Sequence, residues 1–179
     1  MSTSVYRRAV TLLLFILLGT LCLTACLGPL SLTAQTIVYP DDASDQERLA
    51  AHEVRRYVYL RTGELLPLRR ASRLPAEGDV MSIGSHRSPL VSSVAADMRV
   101  PTVDGAFIIR SVRDNGRTVL LIAGGDTVGT LYGAYRFAEH LGIGFGLAGD
   151  AIPDGTVPLD LDGYDEVAVP RFETRGVLP

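Results

Sequence analysis

The side chains with most chemistry to offer are three histidines, a run of four acids, an arginine near the C-terminus and a glycine turn. His52, His86 and His140 are the only histidines. His52 precedes Glu53, but Arg56 stands where a helical zinc pair needs its second histidine, so no metal site is specified. His140 suits the last turn of a helix, where the carbonyl end favours a cation. Asp160, Asp162, Asp165 and Glu166 lack the ligand spacing of a calcium loop. Nothing nearby fixes two of them across a sugar as glycoside hydrolysis requires, so they read as a solvated connector between domains. The cysteines, Cys22 and Cys26, lie in the first 34 residues and the serines in caps and loops, so no nucleophile–base arrangement assembles.

Gly124-Gly125-Asp126-Thr127-Val128-Gly129 occupies a strand-to-helix junction, the place of a phosphate loop. A dinucleotide fingerprint needs glycine where Asp126 stands, a P-loop needs a Gly-Lys pair, and Asp126 places negative charge where phosphate binds. Asp126 reads instead as a helix cap, and no cofactor is expected. Gly125, Gly129 and Gly133 recur every fourth residue, each costing about 1 kcal/mol against alanine within a helix. Such a row predicts a backbone pressed closely against its neighbour. Arg175 offers a planar fork able to hold two sugar hydroxyls or a carboxylate, although an isolated exposed arginine is ordinarily just solvated.

These residues need elements to position them. Residues 36–39 form a short β-rich run before Pro40, and Ser44 with Glu47 is a capping box opening a helix that Gly63 ends. Residues 65–68 read as an edge strand because of Pro67, residues 80–84 as a better strand, and Ser88-Pro89 as the start of a short helix. Residues 106–112 and 118–123 flank Asn115-Gly116, a hairpin signal, and the uninterrupted run from Val119 to Ile122 marks a central strand. The next helix has Val128, Leu131, Tyr132, Tyr135, Ala138 and Leu141 at helical spacing, which predicts the stripe that faces the core. Residues 143–147 suggest one more strand.

Residues 1–34 read as an export leader: Arg7-Arg8, then an apolar run from Ala9 to Leu18. Leu23-Thr24-Ala25-Cys26 resembles a lipobox, making Cys26 a lipidation site; cleavage after Ala34 and retention as an anchor helix are the alternatives. Each places the remainder outside the cytoplasm, periplasmic or extracellular, with membrane contact only through leader or lipid. The roughly 145 to 155 residues beyond it suffice for one domain with its own core and contain no cysteine to form a disulfide. All 17 basic residues are arginine; two lie in the leader, leaving 15 against 20 acids. The resulting charge of about −5, without a long basic run, argues against nucleic acid as a partner.

Four stretches in order carry a family resemblance: E-R-L-A-A-H-E-V-R-R-Y-V-Y-L-R-T-G from Glu47, I-A-G-G-D-T-V-G-T-L-Y-G-A-Y-R-F-A-E-H-L-G from Ile122, G-D-A-I-P from Gly149 and P-R-F-E-T-R-G from Pro170. Together they resemble the N-terminal non-catalytic domain of bacterial alpha-glucuronidases of glycoside hydrolase family 67, and the similar domain before the barrel of family 20 beta-N-acetylhexosaminidases. The resemblance implies an α/β (α+β) domain over residues 36–166, with a small mixed sheet and helices packed on one face, and the start of a TIM barrel over residues 167–179. In such enzymes P-x-F-x-x-R-G opens the first barrel strand, and Arg175 matches the arginine that contacts the terminal sugar in family 20.

The catalytic carboxylates of these families belong to the barrel. The resemblance therefore implies an accessory domain without turnover of its own, partnered by a C-terminal catalytic barrel of the same chain and meeting carbohydrate through it. A break inside a barrel-strand motif favours a fragment of a longer enzyme. The alternative is a self-contained exported lipoprotein that binds glycan or protein without catalysis.

Overall fold

The computed structural model describes residues 35–95 and 98–172. Its elements are β1 (Thr36–Tyr39), α1 (Asp45–Thr62), β2 (Leu68–Arg70), β3 (Val80–Ser85), α2 (Pro89–Val94), β4 (Phe107–Asp114), β5 (Arg117–Gly124), α3 (Thr127–His140), β6 (Gly144–Gly146), β7 (Gly149–Ala151) and β8 (Asp165–Ala168). Six strands form one mixed sheet in the order β2-β1-β3-β5-β4-β8, and β6 and β7 form a separate two-stranded sheet. This is the expected α+β architecture.

Local chemistry fixes the element ends. Ser44 caps α1 in a reciprocal capping box with Glu47, and Gly63 closes it in the left-handed region at φ 79°. Ser88 caps α2 with proline in its first turn. Asn115 and Gly116 take φ values of 50° and 84°, the two positive values that a type I′ turn between β4 and β5 demands. β5 is central as its composition predicts: parallel to β3 on one side, antiparallel to β4 on the other, and buried from Thr118 to Gly124.

Alternating strand residues build two cores. Ile37, Met81, Ile83, Ile109, Leu120 and Ile122 pack with Ala50, Val54 and Val58 of α1 and with Ala134 and Phe137 of α3. Val91 and Ala95 pack with Ile108, Leu121 and Ala123. The two long helices thus share one face as expected, and the short α2 covers part of the other.

Two expectations change. The edge strand is Leu68–Arg70 rather than residues 65–68, since Leu66 is buried and Pro67 offers only its carbonyl, which accepts the Ile37 N–H at 2.9 Å. The acidic stretch is not a free connector. Leu161 is buried, and Asp165 and Glu166 open β8, which pairs antiparallel with β4 from Phe107↔Ala168 to Arg110↔Asp165. The sheet therefore extends past residue 166.

Candidate functional site

The site is built on α3 and the glycine turn before it. Asp126 caps the helix: its Oδ1 accepts the Gly129 N–H at 2.7 Å and, from the preceding loop, the Gly105 N–H at 2.9 Å. A Cβ on Gly125 would stand 2.2 Å from the Val103 carbonyl oxygen, and one on Gly129 would stand 2.2 Å from that of Ala106. The Gly125 N–H is itself spent on the Ala106 carbonyl at 2.8 Å. The chain's own backbone fills the place of a phosphate, in keeping with the close packing that the glycine row predicts.

The face of α3 turned to the core is rotated from the one that its apolar spacing predicts, and of that stripe Ala138 and Leu141 are buried. Gly129, Thr130, Gly133, Ala134, Phe137 and Ala138 are buried, with Leu141 just beyond. Val128 and Tyr132 remain 38% and 42% exposed, and Leu131 and Tyr135 are half-buried. The small residues win the inner position because they let the helix axis approach the sheet, which drives the bulkier stripe to the flank and the outside. α3 consequently has a second apolar surface that solvent reaches.

That surface borders the C-terminal side of the sheet. A groove of about 310 Å³ is lined by Phe107, Tyr132 and Arg136 together with Ala168, Val169 and Pro170. Val169 is 52% exposed, and Phe172, which follows the lining residues, is 71% exposed. Among the described residues β8 pairs with β4 on one side only. The surface thus combines a helix stripe, a strand edge and the apolar Val169, Pro170 and Phe172 that follow that edge.

Charges pin β8 beside it. Glu166 accepts from Arg136 Nε at 2.8 Å and meets His140 Nε2 at 2.7 Å; Asp165 accepts from Arg110 Nε at 2.7 Å, and Asp162 from Arg113 at 2.5 Å. Burial pushes the Glu166 carboxyl up, but the hydrogen bonds of His140 and Arg136 prevail and hold it below its ordinary value. A carboxylate kept ionised in this way is suited to an ion pair, not to donating a proton as a general acid. His140 occupies the last turn of α3, as its position in sequence predicts. His52 is exposed on α1, and the His86 N–H bonds to the Gly124 carbonyl at 2.8 Å. Among the described residues no group of three or more histidine, cysteine, aspartate or glutamate side chains converges as metal ligands.

Arg175 and Cys26 lie outside the described residues. Sequence spacing did not find the groove, because its lining residues are far apart along the chain; the tyrosines in a nominally inward stripe were the available signal.

No family model matches the chain, and no curated protein matches it. Among solved structures it is similar to a glycoside hydrolase family 115 4-O-methyl-alpha-glucuronidase with specificity for decorated arabinogalactans, with a TM-score of 0.45 and 19% identity over 63% of this chain. The chain spans 14% of the length of that protein, whose family is neither of the two that the sequence resembles.

Proposed function

We propose that the chain is the non-catalytic N-terminal accessory domain of an exported glycoside hydrolase acting on terminal sugars, and that the outer face of α3 with the β8 edge seats the catalytic domain that follows. The single observation behind this reading is continuity. Tyr132, exposed beside Val128, lines a groove together with Val169 and Pro170, and Pro170 begins the P-R-F-E-T-R-G run that resembles a first barrel strand. A domain packed there would cover the apolar stripe and the strand edge together, with hydrophobic burial as the driving term.

In this reading hydrolysis is performed by barrel carboxylates, either as a pair or as one acid assisted by a substrate acetamido group. Arg175 holds hydroxyls of the terminal sugar through its fork. The leader exports the protein, with Cys26 as the lipid tether where the lipobox is cut. In sequence pattern the chain resembles the accessory domains of families 67 and 20.

Aryl glycosides test the division of labour: the 179-residue chain is expected to show no turnover even at high enzyme concentration, and clear turnover overturns the proposal. The seating surface is tested with Val128→Asp combined with Tyr132→Asp. Both side chains are exposed, so the 179-residue chain should melt within about 1 kcal/mol of its parent. The gene product read in frame past Pro179 should lose melting cooperativity and hydrolysis. Unchanged behaviour of the longer product, or a stop codon directly after Pro179, favours a self-contained module instead.

A further inference from the structure

The β6–β7 hairpin stands apart from the main sheet, and every residue of its two strands is exposed. A lone two-stranded hairpin is marginal in water, so something must hold it. Phe145 and Asp150 are directly opposite each other in its register. The Phe145 ring meets Tyr57 and Tyr135 edge-on at 5.6 and 5.2 Å. Asp150 Oδ2 accepts from the Tyr57 hydroxyl at 2.8 Å and from both Arg56 terminal nitrogens at 3.2 Å. At its base Arg61, itself buried, donates to the carbonyls of Pro153 and Gly155. The arm is rigidly mounted.

What it presents is an aromatic surface edged by polar groups. Phe145 stays 40% exposed and Leu147, at the tip, is fully exposed. Arg56 bridges Glu53 Oε2 and Asp150 Oδ2 while lying 4.7 Å from the centre of the Tyr57 ring. Among the described residues, Glu53 Oε1 and Asp150 Oδ1 have no partner, so each acid keeps one acceptor oxygen. Burial, then the charges of Glu53 and Asp150, push the Tyr135 hydroxyl up, so it remains a donor at neutral pH.

From this arrangement we infer that Phe145, with Glu53, Arg56, Asp150 and Tyr135 beside it, forms a non-catalytic binding subsite for a neutral saccharide. Elimination supports that class. An external cation finds the place over the tyrosine already taken by Arg56, and an anion meets two carboxylates. A neutral ring with an apolar C–H face and a rim of hydroxyls fits both the open aromatic face and the fixed donors and acceptors. The inference does not depend on a hydrolase domain following the chain, because binding would be read on these residues alone.

The chain has 7 tyrosines and no tryptophan, so a change in tyrosine emission at Tyr57 and Tyr135 is read without tryptophan emission, above a background from the other five tyrosines. The 179-residue chain is titrated with cellotetraose, xylotetraose and N-acetylchitotetraose up to about 10 mM, enough to approach saturation at a Kd of about 1 mM. At least one should give a saturable change. Phe145→Leu keeps apolar volume for docking the hairpin but removes the aromatic face, and should weaken binding about tenfold. Phe145→Tyr should retain it, as should Tyr59→Ala, which removes an exposed aromatic outside the cluster. Circular dichroism and melting confirm that each variant is folded. No response to any of the three sugars, parental affinity in Phe145→Leu, or equal weakening in Tyr59→Ala overturns the assignment.

Discussion

One carboxylate ties the first helix to the middle of the sheet. Glu47 Oε2 accepts the Ser44 N–H and hydroxyl, both at 2.9 Å, and Oε1 accepts the Ser85 N–H at 2.8 Å, with the residue only 5% exposed. Burial by itself would raise its pKa; the hydrogen bonds from Ser44 and Ser85 outweigh it and hold the group below the ordinary 4.5. A depressed folded value means stability that is fully present above the unfolded pKa and lost as pH falls through the folded one. Glu47→Gln turns one accepting oxygen into a donor facing backbone N–H groups, so it should cost about 1–3 kcal/mol at pH 7. It should also flatten part of the fall in Tm below about pH 5. Calorimetry across pH checks both; a variant with the parental acid slope would place that slope in other carboxylates. The Ser44–Glu47 half of this contact was legible, because a capping box spans three residues. The Ser85 half joins elements 38 residues apart and leaves no local pattern.

At the scale of elements, α3 shows where periodicity informs and where it misleads. Hydrophobic spacing found the helix, its cap and its end, and the glycine row announced a close approach. It placed Ala138 and Leu141 inside correctly but turned Val128 and Tyr132 inward too, because side-chain hydrophobicity weights them above glycine, whereas packing distance favours the residues with least side chain. The same competition sets the cost of filling the row. A Cβ at Gly129 meets a backbone oxygen at 2.2 Å, while one at Gly133 meets only side-chain carbons, Ile122 Cγ2 at 3.0 Å and Phe107 Cβ at 3.4 Å, which must yield by a few tenths of an ångström. Gly129→Ala should therefore cost about 3 kcal/mol or more by overpacking. Gly133→Ala should stay within about 1 kcal/mol of the parent, since the gain in helix propensity offsets a small adjustment. Urea unfolding of the two variants separates the outcomes, and equal costs would show that helix and sheet simply move apart. The candidate interface was hidden for the same reason, being the remainder once the inner face is assigned.

Across the whole molecule, the unsettled boundary lies at the end of the sheet. The family resemblance implies one before residue 167, where acids also give way to an apolar run. The structure runs the strand through that change: Asp165 and Glu166 are anchored by arginines from β4 and α3, and Val167 and Ala168 continue the ladder opposite Ile108 and Phe107. All four residues of the strand pair with β4, and arginines pin the first two as well. A chain ended after Glu166 gives up two of the four β4 pairings and uncovers Phe107, otherwise 9% exposed. Lost hydrogen bonds and apolar burial together amount to about 2 kcal/mol. Compared with a chain ended after Phe172, it should melt roughly 4–8 °C lower for a domain of this size. Amide exchange should accelerate along β4, the strand left at the edge, and much less along β3 in the interior. If the two chains melt together with equal protection of β4, the domain closes at the acids, and the segment from Val167 onward belongs with whatever follows.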